Sequence, residues 1–349
     1  MGASGTPPQP RPLRAAVIGH TGRGGYGHGI DTALALVPGV EIVAIADPDA
    51  SGREAAQARR PEGSRAARGY ADYQEMLRRE GPDLVAVCPR FVGEHEAMVS
   101  AAAESGARGV YCEKPFAATP AKGDRMLEAC RRRGVRVVVA HRGREIPYVR
   151  WAKRLIEQEI GPQDVHDGPE DLGPLAGDGL EAYYVFRGGV TGHFESYAVD
   201  RPGARWFGLE LYCARGILSL RDLPRGEVYR YPSGTWLPDE AEGRWERVLL
   251  PEWELAPDGH QRTPQEKLTE SNRRNALALA RAVESGGEPE GVSTARDAVA
   301  ALEMVFAPGE AQRTGQRVAF PLAQRENPYA LLAASTPADA VLSRTGPQK

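Results

Sequence analysis

From residue 13 onward, short runs of Val, Ile, Leu and Ala alternate with longer stretches in which apolar residues recur every three or four positions. That alternation predicts parallel strands joined by crossover helices. The runs are Ala15 to Ile18, Ile42 to Ala46, Leu84 to Val87, Gly109 to Cys112 and Val135 to Ala140. None has the polar alternation of a half-exposed strand, so both faces of the sheet are expected to carry helices. Asp72 with Glu75 makes a capping-box pair, and Thr119 before Pro120 makes an N-cap followed by proline at the first helical position. Helices are predicted to begin at those two points.

The pattern changes after Ala140. A helical stretch, Ile146 to Ile160, stops at Gly161, and a loop rich in Pro, Gly and Asp follows to about Gly179. Glu181 to Tyr197 reads as a β-hairpin turning at Gly188-Gly189, and Trp206 to Leu220 reads as further strand. Two late helices are predicted, about Gln265 to Glu284 and Thr294 to Phe306, each with apolar residues at three- and four-residue spacing. The expected fold class is α/β: an N-terminal Rossmann domain with a doubly wound parallel sheet, then an α+β domain with a mostly antiparallel sheet. The boundaries read as a flexible tail at 1–12, the Rossmann domain at 13–141, a shortened substrate and oligomerisation domain at 142–332, and a second tail at 333–349.

At 349 residues the chain can bury two ordinary cores. Lys and Arg number 44 against 47 Asp and Glu, a formal charge of −3, which gives no basic field for nucleic acid or anionic membrane. Cys88, Cys112, Cys130 and Cys213 are widely spaced and have no His at ligand spacing, so they read as reduced, buried small residues rather than metal ligands or disulfides. No apolar run approaches the roughly 20 residues that span a bilayer, and the N-terminus has no secretion-signal core. A soluble, cytoplasmic protein is the expectation.

The first run is followed directly by Gly19-His20-Thr21-Gly22-Arg23-Gly24-Gly25-Tyr26-Gly27-His28-Gly29 and then an apolar helical stretch. Glycines let a backbone approach a pyrophosphate closely, and a helix start offers N–H groups to it. The fingerprint reads in two registers, Gly22-X-Gly24-X-X-Gly27 or one starting at Gly19, and the sequence leaves both open. Asp47, at the tip of the second run, can accept hydrogen bonds from an adenosine ribose and would repel a 2′-phosphate, which favours NAD over NADP. Arg53 nearby weighs the other way, and a turn role for Asp47 before Pro48 stays open.

Glu113-Lys114-Pro115 follows the strand ending at Cys112, at the edge where open α/β sheets bind ligands. Together with the glycine loop, Asp47 and Cys88-Pro89 followed by His95, this motif makes the N-terminal 160 residues resemble the family of glucose-fructose oxidoreductase, inositol dehydrogenase and the rhizopine-catabolism proteins. The resemblance implies hydride transfer between nicotinamide and a sugar, polyol or related carbinol. It makes Lys114 the catalytic and substrate-binding lysine, and an ammonium there can polarise a C–O bond or donate a proton. It also implies cofactor contacts from Gly19, Gly22, Gly24, Gly27, Asp47, Pro89, His95, Glu113 and Lys114, a substrate contact from Arg142, a small-molecule partner and a homo-oligomer.

The resemblance breaks after Gly161. Family enzymes continue with a strand, a glycine turn and a helix carrying an Asp and a His four residues apart, and here only the Pro162 to Gly179 loop is expected. His166 in that loop and His193 on the hairpin are the remaining acid/base candidates; His193 is the better placed, although a strand histidine also fits a packed or solvated role. Two readings follow: an NAD(P)-dependent oxidoreductase, or a nucleotide-binding relative with weak or no turnover.

Overall fold

In the computed structural model, described residues are 11–141, 163–166, 175–186, 191–197, 208–213, 216–221, 227–231 and 245–335. The first six strands are β1 (Leu13–Ile18), β2 (Val40–Ala46), β3 (Arg68–Tyr70), β4 (Leu84–Val87), β5 (Gly109–Cys112) and β6 (Arg136–Val139). They form one sheet in the order β3-β2-β1-β4-β5-β6, every neighbouring pair parallel. The order reverses at β1 and β4, so the crevice for a ligand lies outside their C-terminal ends. β4 and β5 are buried at every position, as strands covered on both faces must be. The exception to the sequence expectation is β3, whose Arg-Gly-Tyr carries no apolar signal and exists through its pairing with β2.

Five helices accompany this sheet: α1 (Ile30–Ala35), α2 (Ala50–Ala58), α3 (Tyr73–Glu80), α4 (His95–Glu104) and α5 (Pro120–Arg133). Asp49 caps α2 by accepting the amides of Ser51 and Gly52, and Asp72 caps α3 through Gln74 N–H. Thr119 Oγ1 accepts the Lys122 amide at the start of α5.

The second set of strands is antiparallel. β7 (Gln163–His166), β8 (Leu175–Val185) and β9 (Thr191–Tyr197) form a three-stranded sheet. β10 (Gly208–Cys213), β11 (Gly216–Arg221), β12 (Glu227–Tyr231) and β13 (Glu246–Val248) form a four-stranded one. Strands therefore occupy part of the stretch expected to be a loop: β7 and the start of β8 lie within 162–179. Glycine and Asp weaken strand propensity at positions 177–179, but pairing overrides it: β7 brackets them, with Val165 opposite Ala176 and Gln163 opposite Leu180, and β9 pairs from Gly179 onward. The expected strand from Trp206 to Leu220 is two strands, β10 and β11, paired antiparallel with Cys213 opposite Gly216. The expected helix 146–160 lies outside the described residues.

The late helices are α6 (Pro251–Glu254), α7 (Pro264–Ser285), α8 (Ala295–Thr314) and α9 (Pro328–Ser335). Thr294 and Asp297 close a capping box on α8, which continues through Pro308 well beyond the expected end at Phe306.

The molecule divides into two compact units that do not follow a single cut in the sequence. The first comprises Met1–Glu113, Glu128–Ala140 and Asn272–Val292. The second comprises Lys114–Leu127, His141–Ser271 and Ser293–Lys349. Ala276, Leu279, Ala280 and Val283 of α7 join Val17, Leu34, Ile45, Leu84 and Tyr111 in the core of the first unit. In the second unit Leu211, Leu218, Leu220 and Val228 bury one face of the four-stranded sheet against Trp253 of α6.

Candidate functional site

The glycine loop, residues 19–29, leaves the tip of β1 and folds across the ends of β4 and β5. Gly24 and Gly27 both have positive φ, 86° and 63°. A side chain at Gly24 would collide with the Arg90 backbone, and a Cβ at Gly27 would lie 2.5 Å from Cys88 O and from Glu113 Cγ. Only glycine allows both the turn and the approach. Several loop amides bond within the protein: His20 and Gly25 pair across a short bridge, Arg23 bonds to His20 O, and Gly27 bonds to Gly24 O. The amides of Gly22, Gly24, Tyr26 and Gly29 have no acceptor among the described residues.

Two buried carboxylates hold the ends of this loop. At the start, Asp47 has no exposed surface. Its oxygens accept Thr21 N–H at 3.1 and 3.0 Å, Thr21 Oγ1–H at 2.9 Å and Asp49 N–H at 2.9 Å. Both oxygens of the carboxylate are thus engaged by its own loop, at the wall of the cavity described next. At the far end Glu113, also without exposed surface, accepts His28 N–H at 2.8 Å and lies 2.6 Å from His28 Nδ1.

Beside the loop start is a cavity of about 380 Å³ lined by Gly19, His20, Asp47, Pro48, Asp72, Tyr73, Glu94 and Met98, among others. Its walls carry acid side chains, and His20 Nδ1 lies 2.9 Å from Glu94 Oε2. Arg53, the nearby cation, directs Nη1 at the carbonyls of Asp47 and Pro48. A 2′-phosphate would meet carboxylates here, whereas ribose hydroxyls would meet acceptors. Free loop amides, the glycine cradle and the acid-lined cavity fit a dinucleotide without a 2′-phosphate.

The other expected residues fall into distinct places. Pro89 is buried, and its carbonyl lies 2.7 Å from His95 Nε2. His95 Nδ1 lies 3.7 Å from Cys112 Sγ, and the ring has no exposed surface. Both ring nitrogens of His95 face protein partners, and the ring supports the turn after β4. Lys114 is half-buried after β5, in a cis peptide with Pro115. His193 is on β9, about half exposed, with Nδ1 3.2 Å from Glu195 Oε1 on the same strand. Arg142 lies outside the described residues, and His166 is on β7.

Cys88, Cys112 and Cys130 are buried thiols whose pKa burial pushes up, that of Cys130 to about 12. The sequence reading missed His28 and Thr21, the residues the two carboxylates grip. The signal available for them was a polar residue beside a fingerprint glycine, which by itself names no partner. Among the described residues no helix is long and apolar enough to cross a membrane, and no group of His, Cys, Asp and Glu is placed to hold a metal ion.

Comparison with known proteins meets this geometry at the same residues. Residues 13–141 match the model of an oxidoreductase family described by its NAD-binding Rossmann fold. D-apiose dehydrogenase of Paraburkholderia graminis is 35% identical over 121 residues, 34% of this chain and 30% of that protein. Inositol 2-dehydrogenase of Salmonella paratyphi B is 34% identical over 126 residues, 36% of this chain and 35% of that protein. The chain thus spans about a third of the length of these curated relatives. Levoglucosan dehydrogenase in complex with NADH and L-sorbose superposes with a TM-score of 0.68 at 16% identity, covering 89% of this chain and 100% of the other. An Agrobacterium radiobacter oxidoreductase in complex with NAD+, L-tartaric acid and magnesium gives 0.64 at 17%, covering 88% and 98%. These likenesses extend the shared fold across both units. Residues 13–141 are thus similar to the oxidoreductase family with the NAD-binding Rossmann fold.

Proposed function

We propose that this chain is an NAD-dependent dehydrogenase that moves hydride between nicotinamide and a carbinol of a sugar or polyol. The observation that carries the reading is the glycine loop folded over the β1–β4 switch point with free amides and an acid-lined cavity beside it. The relatives named for apiose and inositol supply the substrate class. Nicotinamide, when bound, supplies the hydride acceptor. The loop amides orient the diphosphate, the carboxylates Asp72 and Glu94 disfavour a 2′-phosphate, and Lys114 holds the carbinol oxygen and polarises its C–O bond. The reading extends to a cytoplasmic homo-oligomer, as the family resemblance implies.

A second reading, a nucleotide-binding relative with little turnover, is favoured by one observation: His193 pairs with Glu195 on its own strand and is about half exposed. Titration with NAD and NADP followed by tryptophan fluorescence tests what both readings share. Saturable NAD binding, tighter than NADP, is expected, and the lack of any saturable response overturns both. A screen of polyols at the reduced-nicotinamide absorbance band then separates them. Lys114→Ala is expected to lower turnover on the order of 10²- to 10⁴-fold. Equal rates in the two proteins would remove Lys114 from the reaction.

A further inference from the structure

We propose that His28 carries the proton of the reaction, with Glu113 as the positioning residue that aims it; the inference rests on the dehydrogenase reading above. The ring is fixed from several directions. Glu113 Oε1 receives the His28 amide at 2.8 Å and sits 2.6 Å from Nδ1. Asn272 Nδ2 donates to His28 O at 2.9 Å, and the Asn272 side-chain oxygen accepts the buried Tyr111 hydroxyl at 3.1 Å. A buried carboxylate accepts only, so the neutral imidazole carries its hydrogen on Nδ1 and leaves a lone pair on Nε2. Nε2 has no partner among the described residues, and the side chain is 23% exposed. The arrangement is that of a carboxylate-oriented histidine with its working nitrogen turned outward.

Position and pairing separate His28 from His20, His95 and His260. His20 is also paired with a carboxylate, but it lines the cavity at the β2 and β3 tips, the adenosine half of a Rossmann crevice. His95 is enclosed, and His260 has both nitrogens on Asp258 and Glu266. His28 stands at the β4 and β5 end, where the nicotinamide half of a dinucleotide falls. Its partner Glu113 is the residue immediately before Lys114 in the chain.

The step balances without a further reactant. As hydride leaves the carbinol carbon for oxidised nicotinamide, the hydroxyl proton passes to Nε2, and the carbinol becomes a carbonyl. The imidazolium keeps its Nδ1–H on Glu113, whose charge stabilises it. In reduction the same proton returns to the forming alkoxide.

Diethyl pyrocarbonate, which acylates unprotonated imidazole nitrogen, gives a readout independent of turnover. With peptide mapping of the wild-type full chain, His28 is expected to react and saturating NAD to protect it, while His95 stays unmodified. Modification of His28 at an unchanged rate, with NAD binding demonstrated by fluorescence, overturns the inference and leaves the dehydrogenase reading standing. A chain that binds no NAD fails at the fluorescence step and takes both down. In turnover, His28→Gln is expected to lower kcat on the order of 10²-fold with little change in NAD affinity. Glu113→Gln, which keeps the shape, is expected to lower kcat in the same direction with NAD affinity retained. Wild-type kcat in His28→Gln, or a pure loss of NAD affinity in both variants, would reduce the pair to a loop clasp and overturn the inference.

Discussion

The two ends of the glycine loop are fastened by the same chemistry to different effect. Asp47 at one end and Glu113 at the other are both carboxylates without exposed surface, and both accept main-chain N–H groups from the loop. Asp47 is filled by two amides and the Thr21 hydroxyl, none of which titrates near neutrality. Glu113 instead meets a histidine that retains an outward nitrogen. A buried carboxylate at a strand tip is therefore no mark of chemistry in itself; what it grips decides whether it shapes a loop or orients a reacting group.

The largest effect expected of this comparison is at the Asp47 end. Asp47→Ala leaves Thr21 N–H, Thr21 Oγ1–H and Asp49 N–H without their buried acceptor, and charged-acceptor bonds of this kind contribute about 1.5–3 kcal/mol each in gross terms. Water entering the gap offsets part of that, so urea unfolding is expected to give a loss of about 3 kcal/mol, with Asp47→Asn falling between. Unchanged stability in Asp47→Ala would mean that the carboxylate does not hold the loop and would leave the ribose contact as its role.

Next in size is a contrast between two glycines. Gly27→Ala places a Cβ 2.5 Å from Cys88 O at a φ of 63°, whereas Gly22→Ala, at a φ of 82°, meets nothing within 4 Å. The second change carries only the left-handed backbone cost of about 1 kcal/mol. Gly27→Ala must also pull the loop off β4 and β5, and NAD affinity is expected to fall about tenfold, a difference of about 1.4 kcal/mol. Isothermal titration of the two variants checks this, and equal affinities would detach the Glu113 end from coenzyme binding.

The legibility of the molecule follows the same division between backbone and partner. The parallel sheet could be read from its runs because strands covered on both faces leave little room for polar residues; Leu84–Val87 and Gly109–Cys112 fall where the runs place them. β3 could not, since three residues of Arg, Gly and Tyr take their form from a neighbour. The same holds for β7 and the start of β8, whose pairing with each other spans the Gly and Asp at 177–179. At the site, the glycines announced the loop, and Glu113 and Lys114 announced the strand end. Spacing does not say that residue 28 meets residue 113, because a contact across 85 positions is fixed by the topology of the whole sheet.

The smallest expected effect concerns Tyr26, midway between the two fastenings. Its hydroxyl is buried with no hydrogen-bond partner among the described residues, and Arg59 lies 4.6 Å over the ring. Burial first, and then the nearby Asp47 charge, push its pKa well above the ordinary 10.0; Asp47 acts at a distance, since Thr21 and Asp49 fill its oxygens. The folded state favours the protonated phenol, so this contribution to stability is fully present below about pH 10 and is lost as the pH rises further. Tyr26→Phe removes no hydrogen bond and keeps the ring under Arg59, so at neutral pH its stability is expected within about 1 kcal/mol of wild type. Above pH 10 the order changes: the phenylalanine protein is expected to keep its near-neutral stability where the wild type declines. Urea unfolding at pH 7 and pH 11 checks both halves, and parallel decline of the two proteins would place the phenol in contact with water and loosen the loop's middle from its two ends.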